Sequence, residues 1–71
     1  MVMTGQKLKE LRALHGVSQT DVAKYLGYTV KGKPNRSMIA RFEGGFAPIN
    51  PRVSMLLDAY FSLVANKRVI P

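Results

Sequence analysis

Short apolar stripes alternate along this chain with capping residues and glycines, and that rhythm divides it into elements. Leu8, Leu11, Leu14 and Val17 recur at helical spacing after Thr4, a candidate N-cap, and Gly16 closes the segment, which predicts a first helix. In "SQTDVAKYLG", Ser18 stands as an N-cap with Asp21 three residues on, an acidic variant of the capping box. Val22, Ala23 and Leu26 share one face of this second, very short helix, and Gly27 ends it. The stretch "YTVKGKPN" loses all periodicity at Gly32 and Pro34 and reads as a loop or a small hairpin. Asn35 then caps a third helix. At about 100° per residue, Met38, Ile39 and Phe42 fall on one side of it and Ser37, Ala40 and Arg41 on the other, before it stops at Gly44 and Gly45. Asn50 and Pro51 open a fourth helix with a core stripe of Val53, Leu56, Leu57, Tyr60 and Val64. Met55, Ala59 and Phe61 are less clearly inward, and Met55 and Phe61 are either core or an exposed patch for a second copy. The tail, residues 66–71 ("NKRVIP"), has no helical pattern and no internal repeat is visible anywhere.

These elements predict an all-α fold, a compact bundle of four helices with room for a fifth short turn, as one domain over residues 1–71. At 71 residues the chain is near the size where a single core barely offsets chain entropy. It has no cysteine, and His15 alone cannot make a metal site, so no metal or other cofactor is expected and burial or dimerisation must supply stability. Eleven Lys and Arg against four Asp and Glu leave a formal charge of +7, which suggests a polyanionic partner. No apolar run approaches the roughly 18 residues needed to span a bilayer, and the N-terminus lacks a signal-peptide apolar region, so a cytoplasmic protein without a membrane role is expected. The cations are dispersed and form no basic amphipathic segment.

The face of the third helix opposite Ile39 and Phe42 is suited to duplex DNA. Small side chains at Ser37 and Ala40 let a backbone approach a groove, while Arg36 and Arg41 each carry a guanidinium fork that matches guanine N7 and O6. Asn35 and Ser37 can bond adenine or phosphate. Glu43 falls near the inward side of the wheel, as an acid on such a helix must.

The string "LKELRALHGVSQTDVAKYLG", followed by "RSMIARFEGG", resembles the phage Cro and repressor helix-turn-helix family, also called XRE-type, over roughly residues 7 to 64. The most specific parts are Arg12, Ser18 and Gln19, Leu26 and Gly27, and the run from Ile39 to Gly45. The resemblance implies a lambda-repressor-like domain whose third helix enters the major groove, with base-reading positions on Arg36, Ser37, Ala40 and Arg41 and Asn35 at the cap. It also implies an Arg12–Glu43 salt bridge that fixes the third helix, and phosphate contacts at Gln19, at a helix N-terminus, and at Arg52. The chain departs from the family in its turn, where "YTVKGKPN" adds roughly six residues and extends the path to the third helix. Lys31 and Lys33 then become candidate phosphate contacts on a small arm. The loop "FAPIN" carries no lysine where relatives are often basic.

The implied function is a sequence-specific DNA-binding transcriptional regulator of a phage or mobile element, a Cro-like repressor that binds a near-palindromic operator as a homodimer, with "VIP" of the tail as the suspected dimer segment. No small-molecule effector is expected. An antitoxin or adaptor using the same scaffold for protein binding, or an RNA-binding module, are the competing readings. Enzymatic activity is not expected, because hydroxyl, histidine and carboxylate groups are scattered over caps and helix faces. Tyr25, Tyr28 and Tyr60 read as packing residues, and His15 as a helix-end residue.

Overall fold

Local capping chemistry decides where the helices begin and end. The computed structural model describes residues 3–69, with side chains through Asn66. Helix α1 (Gly5–His15) starts where Thr4 accepts a hydrogen bond from the Lys7 N–H at 3.0 Å, and ends where Gly16 takes a φ of 65°. Helix α2 (Gln19–Leu26) opens on a complete capping box, in which the Asp21 N–H donates to Ser18 Oγ and the Ser18 N–H donates to the Asp21 carboxylate. Gly27 closes it at a φ of 81°.

Of the two readings of "YTVKGKPN", the hairpin is what forms. Strands β1 (Thr29–Val30) and β2 (Lys33–Pro34) pair antiparallel, Thr29 opposite Pro34 and Val30 opposite Lys33. The two-residue loop between them has positive φ at both positions, 53° at Lys31 and 79° at Gly32, as a type I′ turn requires. The fold is therefore mostly helical with a minimal sheet, rather than purely helical.

Helix α3 (Ser37–Glu43) begins later than the Asn35 cap implies. Arg36 occupies the cap position without a side-chain bond, while Asn35 Oδ1 accepts the Ser37 N–H from one residue further out, at 3.0 Å. Asn50 caps helix α4 (Pro51–Val69) as expected, accepting the Val53 N–H at 2.8 Å. The expected non-helical tail is corrected over part of its length: α4 runs on through Asn66 to Val69, since neither glycine nor proline interrupts the chain between Pro51 and Pro71. Ile70 and Pro71, and with them most of the suspected dimer segment, lie outside the described residues. No helix among the described residues is long and apolar enough to cross a membrane.

The core forms where α1 and α2 each pack on α3 and α4. Leu8, Val22, Ala23, Ile39 and Leu57 are completely buried, joined by Met3, Val17, Phe42, Ile49, Val53 and Phe61. Two apolar assignments change. Leu14 is 69% exposed, because steps of three residues drift about 60° backward on a helix and carry it off the stripe that Leu8 begins. Phe61 is only 4% exposed and belongs to the core, where its ring stacks on His15 at 5.9 Å and meets Tyr60 edge-on. The buried Ser54 lies two turns before it. Its Oγ accepts the Met3 N–H at 2.6 Å and so ties the N-terminal segment to α4. The tyrosines pack as expected: Tyr25 against Tyr60 at 4.6 Å, and Tyr28 against Phe42 at 6.2 Å.

Candidate nucleic-acid interface

Helix α3 presents two chemically distinct sides. Ile39 and Phe42 are buried and Met38 half-buried, whereas Arg36, Ser37, Ala40 and Arg41 are all exposed. The single acid of the helix, Glu43, is turned away from that exposed side and is 7% exposed. Arg12 of α1 grips it with two parallel hydrogen bonds, Nε to Oε2 at 2.5 Å and Nη2 to Oε1 at 2.8 Å. Gln19 of α2 adds a third, Nε2 to Oε1 at 3.2 Å. The remaining arm of the Arg12 guanidinium donates to the Val17 carbonyl in the α1–α2 turn at 3.2 Å. One carboxylate thus ties three helices and a turn together at the inner end of α3.

The electrostatics follow from this geometry. Burial pushes the Glu43 carboxyl upward, but the hydrogen bonds from Arg12 and Gln19 and the charges of Arg12 and Lys9 outweigh it and hold the group below the usual carboxylate range. The Glu43 hydrogen bond raises Arg12 above its ordinary value against the opposing effect of burial, and the Glu43 charge adds to the rise. An ion pair held this way adds no net charge to α3. What remains outside is cationic: residues 22–42 contain Lys24, Lys31, Lys33, Arg36 and Arg41 and no acid, and all five cations are exposed.

The fold gathers several of the expected site residues around α3 and gives Asn35 and Gln19 internal bonds as well. Asn35, Arg36, Ser37, Ala40 and Arg41 lie on α3 and its entry, all exposed except the half-buried Asn35. Asn35 also has structural work. Its N–H donates to the Tyr28 carbonyl at 2.8 Å, closing the hairpin at its base, while its side chain caps α3. Lys31 and Lys33 are carried on the hairpin that this bond closes. Arg52 is exposed on the first turn of α4, at the far end of the segment 46–50. Gln19 spends a side-chain N–H on Glu43, and the amide end of α2, where the phosphate contact is expected, already faces the carboxylate of Asp21.

Lys24 and Phe46 enter the picture from the structure. Lys24 joins the cationic set from α2. Phe46 is 78% exposed just past the end of α3, with its N–H bonded to the Arg41 carbonyl at 2.9 Å. Its ring lies against Gly44, where an added Cβ would sit 2.8 Å from the ring carbons Cδ2 and Cε2. The signal for it is the double glycine immediately before an aromatic residue, since only a residue without Cβ lets a ring fold back onto the chain so closely. Compared against family profiles, curated proteins and solved structures, the chain matches none of them.

Proposed function

We propose that the protein is a sequence-specific double-stranded DNA-binding transcriptional regulator, in which α2 and α3 act as a helix-turn-helix and α3 enters the major groove. The observation that carries this reading is the division of α3. Its outer side, counted with the cap residue Arg36, holds two arginines, a hydroxyl and a methyl, and its only acid is turned inward and paired with Arg12. Arg36 and Arg41 are the base-reading cations, Ser37 and Ala40 allow close approach, and Arg52 holds a backbone phosphate. Two copies on a near-palindromic site give the simplest mechanism, occlusion of a promoter, because one small domain covers only a half-site. With Phe61 in the core, Met55 and Leu63 are the large exposed apolar side chains of α4, among the described residues, left to meet a second copy.

Selecting bound sequences from a random duplex library tests the reading directly. Enrichment of a near-palindromic site supports it, while equal retention of all duplexes, or preference for single-stranded RNA, defeats it. On the selected site, Arg41→Ala should lose about 1 to 3 kcal/mol and relax the choice at one base pair, because a bidentate pair to guanine discriminates as well as attracts. Arg36→Ala should do the same at a neighbouring position. A uniform loss over all sequences would assign both arginines to phosphates instead.

A further inference from the structure

We propose that the β1–β2 hairpin is a second, separate grip on the same duplex, a wing whose Lys31 and Lys33 hold backbone phosphates beside the bases that α3 faces. This rests on the DNA reading of α3 and adds to it a contact surface of different construction.

The hairpin stands beside the entry of α3. A hairpin with two residues in each strand has no core of its own, and every residue from Thr29 to Pro34 is exposed. It is nevertheless anchored. Strand β2 packs on α2, and the Asn35 N–H bond to the Tyr28 carbonyl closes the base of the hairpin at the residue whose side chain caps α3. The wing therefore springs from the entry of α3, and a phosphate held at its tip adds affinity beside the helix without altering which bases the helix meets.

The hairpin is also cationic. None of the five cations between Val22 and Phe42 forms an ion pair among the described residues, and no acid interrupts them along the chain. Val30 lies directly across from Lys33, so those two side chains share one face of the hairpin, and both are open to solvent.

The tip carries a residue that its turn does not favour. Both central positions of a type I′ turn need positive φ, which asparagine, aspartate and glycine accept most readily, and the favoured pair is Asn-Gly. Here the first position is a lysine, held at a φ of 53°. The local preference of the backbone is overridden at the most projecting point of the hairpin by a side chain whose distinguishing property is its positive charge. Departures of this kind gather where function sets the residue.

That departure supplies the test. In Lys31→Asn/Lys33→Gln, both charges are removed while the turn gains its preferred Asn-Gly pair, so the hairpin is held at least as well as before. Fluorescence anisotropy would follow binding of the selected duplex and of a random-sequence duplex across a salt series. The expected result is a slope of log K against log salt that is shallower by about 1 to 2 units, at roughly 0.9 per phosphate. The affinity loss should be equal on both duplexes, and the base preference of the selected site unchanged. An unaltered slope and affinity, in a wild-type protein that does bind the duplex, overturns the wing and leaves the α3 reading standing. Failure of the wild-type protein to bind any duplex overturns both. Stronger lysine-dependent retention on single-stranded RNA or on phosphatidylserine vesicles than on duplex overturns the wing as a DNA contact.

Discussion

Replacing Glu43 with alanine is expected to remove about 3 to 5 kcal/mol of stability, the effect of stranding one member of a desolvated ion pair. Arg12 is 19% exposed and cannot recover full hydration where it sits, and Gln19 loses its acceptor at the same time. A domain of this size is stabilised by about 0.05 to 0.15 kcal/mol per residue, so the loss takes a large share of the total. Urea denaturation should show a much lower midpoint. Arg12→Ala should resemble Glu43→Ala, and the double variant should be far less destabilised than the two single losses added together, because the second change removes the stranded charge. Additive losses would show that the pair is not coupled. The same carboxylate sets an acid limit. Since its folded pKa lies below the unfolded value, its contribution is present above the ordinary carboxylate range and is lost as pH falls through the folded value. Wild-type stability should therefore decline from about pH 5 downward more steeply than that of Glu43→Gln, which has no proton to take up at this position.

Gly5→Ala is expected to be the other large loss, and here two physical effects predict opposite signs. Considered as a helical position alone, Gly5 would gain about 0.5 to 1 kcal/mol from alanine through reduced chain entropy. The fold reverses this. A Cβ at Gly5 would lie 1.9 Å from the Phe42 carbonyl oxygen and 2.8 Å from its carbon, both of them backbone atoms that cannot swing aside. The first turn of α1 would have to withdraw from the end of α3, a strain of about 1 to 3 kcal/mol or more. For a domain this small each 1 kcal/mol moves the melting temperature by roughly 4 to 8 °C, so calorimetry reads the sign without ambiguity. A rise in melting temperature would refute the close approach. On the proposed DNA reading, duplex affinity should fall along with stability, since the clash of α1 falls on Phe42, next to Arg41.

Much of this arrangement was legible in the sequence because it is decided locally. Thr4, Ser18 with Asp21, and Asn50 cap through atoms only a few residues away, and Gly16 and Gly27 mark backbone conformations that other residues avoid. The Arg12–Glu43 pair was reached through family resemblance, a route that carries long-range information which residue spacing does not. The misses are tertiary. Ser54 reads as polar, so the apolar pattern of α4 runs through Val53, Leu56, Leu57, Tyr60 and Val64 and leaves Phe61 at its margin. With Ser54 accepting the Met3 N–H, Ser54 and Phe61 join Val53 and Leu57 on the buried face. The Asn35 amide suits adenine, but nothing nearby in sequence shows that its backbone also closes onto Tyr28. Gln19 has a helix-start position that suits phosphate, and its additional bond to Glu43, 24 residues away, is equally invisible to spacing. The contact between Gly5 and Phe42 leaves no trace in hydropathy at all.

The bond between the Asn35 N–H and the Tyr28 carbonyl also has a consequence for how such a chain can diversify. It makes the path from α2 to α3 short in space whatever the length of chain looped out between its two ends. Loop-closure entropy grows only slowly with length, by about 0.6 kcal/mol for each doubling, so residues can be gained or lost between Tyr28 and Asn35 with little penalty. The packing of Tyr28 against Phe42 lies outside that loop and need not register the change. Insertions and deletions, which would be ruinous within the helices, are here a cheap source of variation, and what the loop touches can drift independently of what the helices bury.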